Sequence, residues 1–586
     1  MKKSLLSIAC IFALMSPAVT MAQEISSPVY SWGALLDSPT AGDMANAIAT
    51  DVYGNLYYLG TEGSKGEQRD LTYGSEVIGT GAEYSGTSYN YNFVLVKTDK
   101  SGKLLWSVTS SQGESASGNG TVTPLSDGSV IVTAKIRPTD GAIAKGFVLS
   151  DKDGNELKVE WPDTDTRVYK GLVMKFDADG KLLASNVIEL DDAPQPGTDK
   201  VTADALDIYA ATKDDADNVY VGARFRSKMT LVGADDKEVS VSARNIVGWN
   251  GDSQATNGDM IIIKLDSDGQ CLATFTSETT ITASKTLSLD WSDGSLYALA
   301  TVQGQSGQVM TIGQKSVTIN EYASPLLISM TADLSVNWCD LFTASQVEAK
   351  NPALQSTGLS AIDGNIWLTG MFNGAFDFDG KSVASEKGST PREGLLAKIN
   401  AADGKVLGAT TSAADYGIKV PGGTANCITG YLDAFVNPGD ESKVYVYGYG
   451  MNANVGVFVR AYNAETLVSN PDTEAWNLVT GGGAPSAQGM AYNAEEAMLY
   501  VTARGNAKYN VMGGEAPAVT AGYGFGQLLA AFNMPFEKVE SGVTEVSEDT
   551  EDTTPVYYNL QGIEVKNPAN GLFIRKQGNK VDKVIL

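Results

Sequence analysis

Three Asp-x-Asp-Gly runs are the first residues of this sequence whose types and spacing could do chemistry. They are Asp151-Lys152-Asp153-Gly154, Asp177-Ala178-Asp179-Gly180 and Asp266-Ser267-Asp268-Gly269. Carboxylates at alternate positions suit a hard cation such as calcium, which takes oxygen ligands. None of the three runs has the downstream Glu that a calcium loop uses as a bidentate ligand, and Asp at such a place is already explained by capping its own turn. Asp151, Asp153 and Asn155 stand as a weak calcium candidate; no metal and no cofactor are expected. Paired carboxylates could also cleave glycosides, a reaction that needs no histidine. With 69 acidic residues, pairs can be drawn anywhere. Asp163 and Asp165 beside Trp161 are a conceivable sugar-facing set, against a solvated loop as the plainer account.

The sequence contains no histidine. That excludes an imidazole base, a His-containing triad and a His-ligated metal. No P-loop, GxSxG elbow or HExxH is present. The strongest binding candidate is the insertion 64–92, which carries Tyr73, Tyr84, Tyr89 and Tyr91 among Gly, Ser and Asn. Tyrosine offers rigid amphipathic contact area and the small polar residues adaptable hydrogen bonds; the alternative is a decorated surface loop.

Formal charge is 43 − 69 = −26. A chain this acidic is a poor partner for nucleic acid or anionic lipid, which need clustered Lys and Arg. The first 22 residues read as a secretion signal: Lys2 and Lys3, an apolar stretch Leu5–Met15, then small residues before cleavage between Ala22 and Gln23. The run before Cys10 lacks the Leu that lipidation there would require. No other stretch reaches the roughly 18 apolar residues of a membrane helix. Of the four cysteines, three remain once the signal is removed; Cys271, Cys339 and Cys427 are isolated and odd in number, so no disulfide framework or CxxC metal site can be read.

The elements that must position any site come from seven copies of one degenerate repeat, from about Ala45 to Glu540. One string recurs as GNLYYLGT (54–61), DGSVIVTAK (127–135), DNVYVGAR (217–224), DGSLYALAT (293–301), GNIWLTGM (364–371), SKVYVYGYG (442–450) and AMLYVTARG (497–505). A second follows it, as in FVLVKTDKSGKLLWS (93–107) and GLVMKFDADGKLLAS (171–185). Each copy holds a short strand, a tight turn on Gly-Asn, Asp-Gly or Asp-Asn, an alternating aromatic and β-branched strand, an insertion, and two further strands. The strand aromatics Tyr57, Tyr220, Tyr297, Trp367, Tyr445 and Tyr500 share one repeat position, which marks them as packing residues. The spacing predicts an all-β, seven-bladed β-propeller. Copies average about 72 residues, from Asp99 to Asn533 in six steps. The excess is read as hairpins protruding from the blades, as at 71–79, 310–319 and 376–385. Val29–Asp37 resembles the fourth strand at 103–111, with Trp32 matching Trp106, and is expected to close the last blade.

At this point the chain resembles a family. Copies one and five are similar to the bacterial propeller repeat often called SBBP, through Gly54, Asn55, Tyr57 and Gly60, then Lys97, Asp99, Gly102 and Trp106. Copy four has Ser329, and copies six and seven Ala461 and Ala531, where that Lys stands. The resemblance implies an extracytoplasmic propeller and no particular activity. An acidic linker, 541–555, leads to a basic tail, 556–586, expected to form a short C-terminal β-hairpin module. Tyr558-Asn559-Leu560-Gln561-Gly562 and Gly571-Leu572-Phe573-Ile574 make this tail similar to the type IX-like sorting modules of secreted Bacteroidetes proteins, although it is shorter than a full sorting domain.

The organisation read from sequence is therefore a signal at 1–22, a propeller at 23–540, a linker at 541–555 and a sorting or docking module at 556–586. The function expected is a non-enzymatic secreted or cell-surface binding protein for a glycan, peptide or protein. It has no nucleic-acid partner and no membrane span, and its tail would engage envelope or secretion machinery. The alternative is a carbohydrate-active hydrolase or lyase using Asp and Glu on the propeller funnel.

Overall fold

A computed structural model describes all residues except 1–26, 38–43, 65–69, 82–89, 138–146, 160–168, 192, 195–200, 203–204, 245–257, 280, 282, 348–351, 386–392, 413–428, 438–439, 451–454, 471–472, 482, 484, 507, 518–525, 535–553, 560–563, 570–571, 578–579 and 586. The chain divides into two units, Met1–Phe536 and Glu537–Leu586. Both are all-β; among the described residues the one helical element of three residues or more is a 3-10 turn, Ala234–Asp236.

In the first unit each repeat forms an antiparallel sheet. Sheet 1 runs Met44–Thr50, Leu56–Ser64, Asn90–Thr98 and Leu104–Gln112; sheet 2 runs Glu114–Pro124, Val130–Arg137, Lys170–Phe176 and Leu182–Leu190. Sheets 3 to 6 repeat the pattern, with leading strands Leu206–Lys213, Ala283–Ser292, Ala353–Ile362 and Thr429–Asn437. Sheet 7 takes three strands from the seventh copy, Ser486–Asn493, Met498–Gly505 and Gly526–Asn533. Its fourth is Val29–Asp37, paired antiparallel with Gly526–Asn533. Leading strands of successive sheets adjoin, and that of sheet 7 adjoins that of sheet 1.

The sheets stack face to face, and this explains the burial pattern. The third strand of sheet 3 buries Met260, Ile261, Ile262 and Ile263 in succession, because both faces of a middle strand are covered. Outer strands are buried on one side only and keep polar residues on the other. Every leading strand also carries a register shift at its centre: between Ala45 and Ala47, Ser115 and Gly120, Ile208 and Ala210, Thr286 and Ser288, Gln355 and Gly358, Tyr431 and Asp433, and Ala487 and Gly489. A bulge at each of these places bends the strand and sharpens its twist.

The Lys and Trp of the repeat latch neighbouring sheets. Trp106 Nε1 and Lys97 Nζ both donate to the Ala178 carbonyl of sheet 2, at 2.9 and 3.3 Å. Lys264 Nζ donates to Ala332 O at 2.8 Å, Trp338 Nε1 to Ala401 O at 3.2 Å and Lys398 Nζ to Ala464 O at 3.0 Å. Trp32, from the N-terminal strand, donates to Lys100 O of sheet 1 at 2.9 Å. The accepting residue always follows the Asp, Asn or Thr that opens the turn between third and fourth strands. The turn glycine is fixed by the same latch: a Cβ on Gly180 (φ +85°) would lie 2.7 Å from the Trp106 ring, and one on Gly102 (φ +81°) 2.5 Å from Trp32.

The insertion hairpins differ from the expectation. They do not protrude; each hairpin extends or abuts the outer edge of the preceding sheet. Asp70–Tyr73 of copy one pairs with Val29–Asp37 of sheet 7, Val148–Asp151 of copy two with Leu104–Gln112 of sheet 1, and Lys228–Val232 of copy three with Leu182–Leu190 of sheet 2. Ala375–Phe378 of copy five pairs with Thr343–Ser345, which follows the outer strand of sheet 4, and Tyr509–Val511 of copy seven pairs with Ala475–Gly481 of sheet 6. In copy four, Thr311 N donates to Thr279 Oγ1, just past the outer strand of sheet 3, at 2.8 Å. The physical reason is edge protection: an outer strand left bare exposes unpaired amides and carbonyls, and the hairpins bury Leu71, Tyr73 and Ile78 against it.

The second unit is a three-stranded antiparallel sheet, Val556–Tyr558, Leu572–Gln577 and Lys580–Ile585. Its last two strands form the hairpin expected of the tail, and Val565 N donates to Tyr557 O at 2.8 Å beside them.

Candidate functional site: a channel with a basic rim

Among the described residues, all seven leading strands line a cavity of about 700 Å³, within the usual range for a small-molecule pocket. Each sheet contributes residues at or beside its bulge: Ala47, Gly120, Tyr209, Ser288, Thr357, Asp433 and Gln488. Small residues at most of these positions leave the space open, and hydroxyls and amides stand in its wall beside apolar residues such as Ile48, Leu289 and Met490. Side chains at the bulges also tie one sheet to the next. Asn46 Oδ1 accepts Gly118 N at 2.7 Å, Asn119 Oδ1 accepts Ile208 N at 3.0 Å, and Ser288 Oγ donates to Thr357 O at 2.9 Å.

Two carboxyl groups flank the leading strand of sheet 5. Asp433 Oδ1 accepts from Ser360 Oγ at 2.9 Å and Ala434 N at 2.8 Å. Asp290 Oδ2 accepts Ala361 N at 2.6 Å and its Oδ1 accepts Trp291 N at 2.9 Å. Burial pushes Asp433 up to about 6 against those hydrogen bonds. Burial also pushes Asp290 up to about 7; its backbone hydrogen bonds oppose this and the nearby Asp433 charge adds to it.

Antiparallel order fixes which residues meet at the ends of the channel. The end where leading strands begin is also the end where second strands finish, third strands begin and every insertion departs. At that end, on sheets 2 and 3, Asp207 is surrounded by cations. Lys135 Nζ lies 3.0 Å from its Oδ1, and Arg224 Nε and Arg226 NH2 lie 3.0 and 2.8 Å from its Oδ2. Burial alone would raise the Asp207 carboxyl, but Lys135, Arg224 and Arg226 overrule it and hold the group well below the usual carboxylate range. Arg137 lies over the Tyr169 ring at 4.6 Å, with Lys135 at 5.2 Å from the same ring. Lys285, which lines the channel, stands 5.7 Å from the Tyr209 ring. Its ammonium is pulled down by burial and by Arg224, with Asp207 acting the other way.

The residues singled out from sequence fall elsewhere. Tyr73 is in the core, 4% exposed, with its hydroxyl donating to Gly102 O at 2.7 Å and its pKa raised by burial; the expected surface face is instead packing for the sheet 7 edge. Tyr91 is half-buried on Asn90–Thr98 opposite Gly63. Tyr84, Tyr89, Trp161, Asp163 and Asp165 lie outside the described residues, as do Ala22, Gln23, Cys10 and Cys427. Asp151, Asp153 and Asn155 form a hairpin turn: Asp151 Oδ1 accepts Asp153 N and Asn155 N at 2.9 and 2.8 Å, and Asp153 pairs with Lys152 at 2.7 Å. Among the described residues no group of three or more Cys, Asp or Glu is placed to hold a metal ion, and no helix is long and apolar enough to cross a membrane.

Sequence reasoning missed the basic rim, although a signal was there. In copies two and three the second strand ends basic-x-basic, as Lys135-Ile136-Arg137 and Arg224-Phe225-Arg226. Copy one has Thr61-Glu62-Gly63 at the equivalent place.

No family model matches the chain, and no curated protein matches it in sequence. Solved structures do match at low identity. A protein of unknown function from Dyadobacter fermentans DSM 18053 is 10% identical, covering 72% of this chain and 95% of that one, with a TM-score of 0.36. A protein of unknown function from Bacteroides caccae is 11% identical over 67% and 97%, with a TM-score of 0.28. The polysaccharide lyase Uly1 is 9% identical over 87% and 100%, with a TM-score of 0.38. Likeness at this level transfers no activity to this chain.

Proposed function

We propose that this chain is an exported, seven-bladed β-propeller, closed by its N-terminal strand, that binds a ligand in the channel at the insertion face without transforming it. The observation that carries the reading is a cavity of about 700 Å³, walled by both polar and apolar residues, to which all seven repeats contribute. Export rests on the sequence of residues 1–22, and the basic tail would dock the protein to envelope or secretion machinery. The test is a binding screen against glycans and peptides using the whole chain and the Gln488→Trp variant, whose larger side chain narrows the channel. Binding should be lost in the variant while its melting temperature is kept. Equal binding by both proteins, or a blank screen, overturns the reading. For the tail, deletion of 556–586 should change the surface-bound fraction; an unaltered distribution counts against docking.

A second reading, cleavage of a glycan, is favoured by one observation: Asp433 lines the cavity with its carboxyl held near 6, within the range of a general acid. Incubation with oligosaccharides that bind, followed by product analysis, decides it. Products that vanish in Asp433→Asn would support cleavage, and their absence from the native protein would end it.

A further inference from the structure

Among the described residues that line the channel, the charged ones are Lys285 of sheet 4 and Asp433 of sheet 6. The fold leaves part of each unused. Asp433 receives both of its hydrogen bonds, from Ser360 Oγ and Ala434 N, on Oδ1, and no described group donates to Oδ2. Lys285 Nζ has the Tyr209 ring 5.7 Å away and no hydrogen-bond acceptor among the described residues. On sheet 5, between them, the side-chain amide of Gln355 also lines the cavity without a hydrogen-bond partner among the described residues. Other polar groups of the wall bond within the protein. Gln488 Nε2 donates to Ser486 Oγ and Ala487 O at 3.3 and 3.2 Å, and the Tyr447 hydroxyl lies 3.1 Å from both Gly489 O and Thr502 O.

Strand register sets the depth of these three groups. Lys285 lies opposite Thr301 and Gln355 opposite Met371, the same repeat position on two sheets. Asp433 lies opposite Tyr447, two residues before that position on the second strand of sheet 6. Two strand residues advance about 7 Å. The cation and the amide therefore stand nearer the insertion end, with the carboxylate about 7 Å deeper. From this arrangement we propose that the channel takes a short peptide with both termini free, its C-terminal carboxylate at Lys285 and Gln355 and its terminal ammonium at Asp433 Oδ2. The proposal rests on the binding reading above and adds the ligand class. A zwitterion follows from one unfilled charge of each sign at two depths. A peptide follows from the wall between them, which sets the Ser288 and Thr357 hydroxyls beside Leu287, Leu289, Leu359 and Leu432; peptide groups match the first set and side chains the second. The depth difference, added to the span across the channel, matches the reach of about two or three extended residues. Such a ligand has no net charge, so the formal charge of −26 on the chain does not repel it.

The probe is alanyl-leucyl-alanine, measured by calorimetry at pH 7 against the whole protein. Its N-acetylated form, its C-amidated form and 5-aminopentanoate are the comparisons. At that pH a peptide amine, titrating at about 7.7 to 8.0, is protonated, and Asp433, pushed up to about 6, is ionised. The variants are Lys285→Met and Asp433→Asn, each close in volume to the native residue, with folding checked by a melting temperature at or above the native one. The free peptide should bind, and either cap should weaken it about tenfold or more, the effect of losing a charged hydrogen bond. Lys285→Met should erase the preference for the free carboxylate and keep that for the free amine; Asp433→Asn should do the reverse. A folding defect does not produce that crossed pattern. Caps without effect, or variants that lose both preferences or neither, would overturn the two anchoring assignments. Equal or tighter binding of 5-aminopentanoate, which has both charges and no peptide group, would overturn the peptide class. No binding of the free peptide overturns the proposal; the channel reading falls with it only if the wider screen is blank as well.

Discussion

Replacing Asp433 by Asn should make the protein more stable, and more so at higher pH. Both hydrogen bonds of this side chain fall on Oδ1, from Ser360 Oγ and Ala434 N. An asparagine carbonyl can accept both, so the substitution removes a charge and little else. The Asp433 carboxyl sits near 6 in the folded chain against 3.8 in the reference state. A raised acid pKa means the folded state holds the proton more tightly. Its contribution is therefore fully present below about 3.8 and is lost as pH rises through about 6. The full penalty, 2.2 units at 1.36 kcal/mol each, approaches about 3 kcal/mol at pH 8 and about 1.5 kcal/mol at pH 5. Water in the channel screens the exposed side, so about half of each figure is expected. Urea unfolding of native and variant protein at pH 5 and pH 8 measures the difference, which should be about 0.5 to 1 kcal/mol larger at pH 8. A variant destabilised equally at both pH values would refute the argument, because it would mean the charged carboxylate is what the latch between sheets 5 and 6 requires.

Four further outcomes follow from the geometry. Gly180→Ala should cost at least about 2 kcal/mol, since it places a Cβ at positive φ and 2.7 Å from the Trp106 ring; urea midpoints measure it, with Gly154→Ala, open around its Cβ, as the control for backbone strain alone. Trp106→Phe should cost about 1 kcal/mol by the same assay, because Lys97 still reaches the Ala178 carbonyl. Removing the hairpin 70–80 should leave the outer edge of sheet 7 bare and produce concentration-dependent association, read by light scattering. Burial raises Cys271 and Cys339 to about 11, so both thiols should resist a disulfide exchange reagent at pH 8 and react on unfolding in urea.

The repeat made the sheets legible because each copy carries its own turn chemistry. Asp293-Gly294 and Asp363-Gly364 both adopt positive φ, as the paired residues of such hairpin turns require. The fourth strand of sheet 7 was legible for a similar reason: Trp32 has the spacing of Trp106 and, in the structure, the corresponding hydrogen bond. The insertions were not legible in the same way. A hairpin such as 71–79 announces its own turn but not its neighbour, because edge pairing depends on which sheet stands alongside. The basic rim was hidden for the same reason, as Lys135 and Arg224 are 89 residues apart and meet at Asp207. Tyr73 misled because four tyrosines in a Gly- and Ser-rich run suggest a surface, while the alternation of Leu71 and Tyr73 within that run belongs to a buried edge.

The pairing of Val29 with Asn533 has a consequence for how the chain could be cut and rejoined. These two residues face each other across one strand spacing, inside sheet 7. A circular permutant that links these two points and opens the chain at another inter-sheet connection should keep every sheet intact. Loss of a whole repeat is costly for another reason, because copies one, two, three and seven each pair an insertion strand with the preceding sheet while their own strands build the next. Shortening the array by one unit would orphan pieces of two sheets at once, so evolution within such an array is freer to move its ends than to change its length.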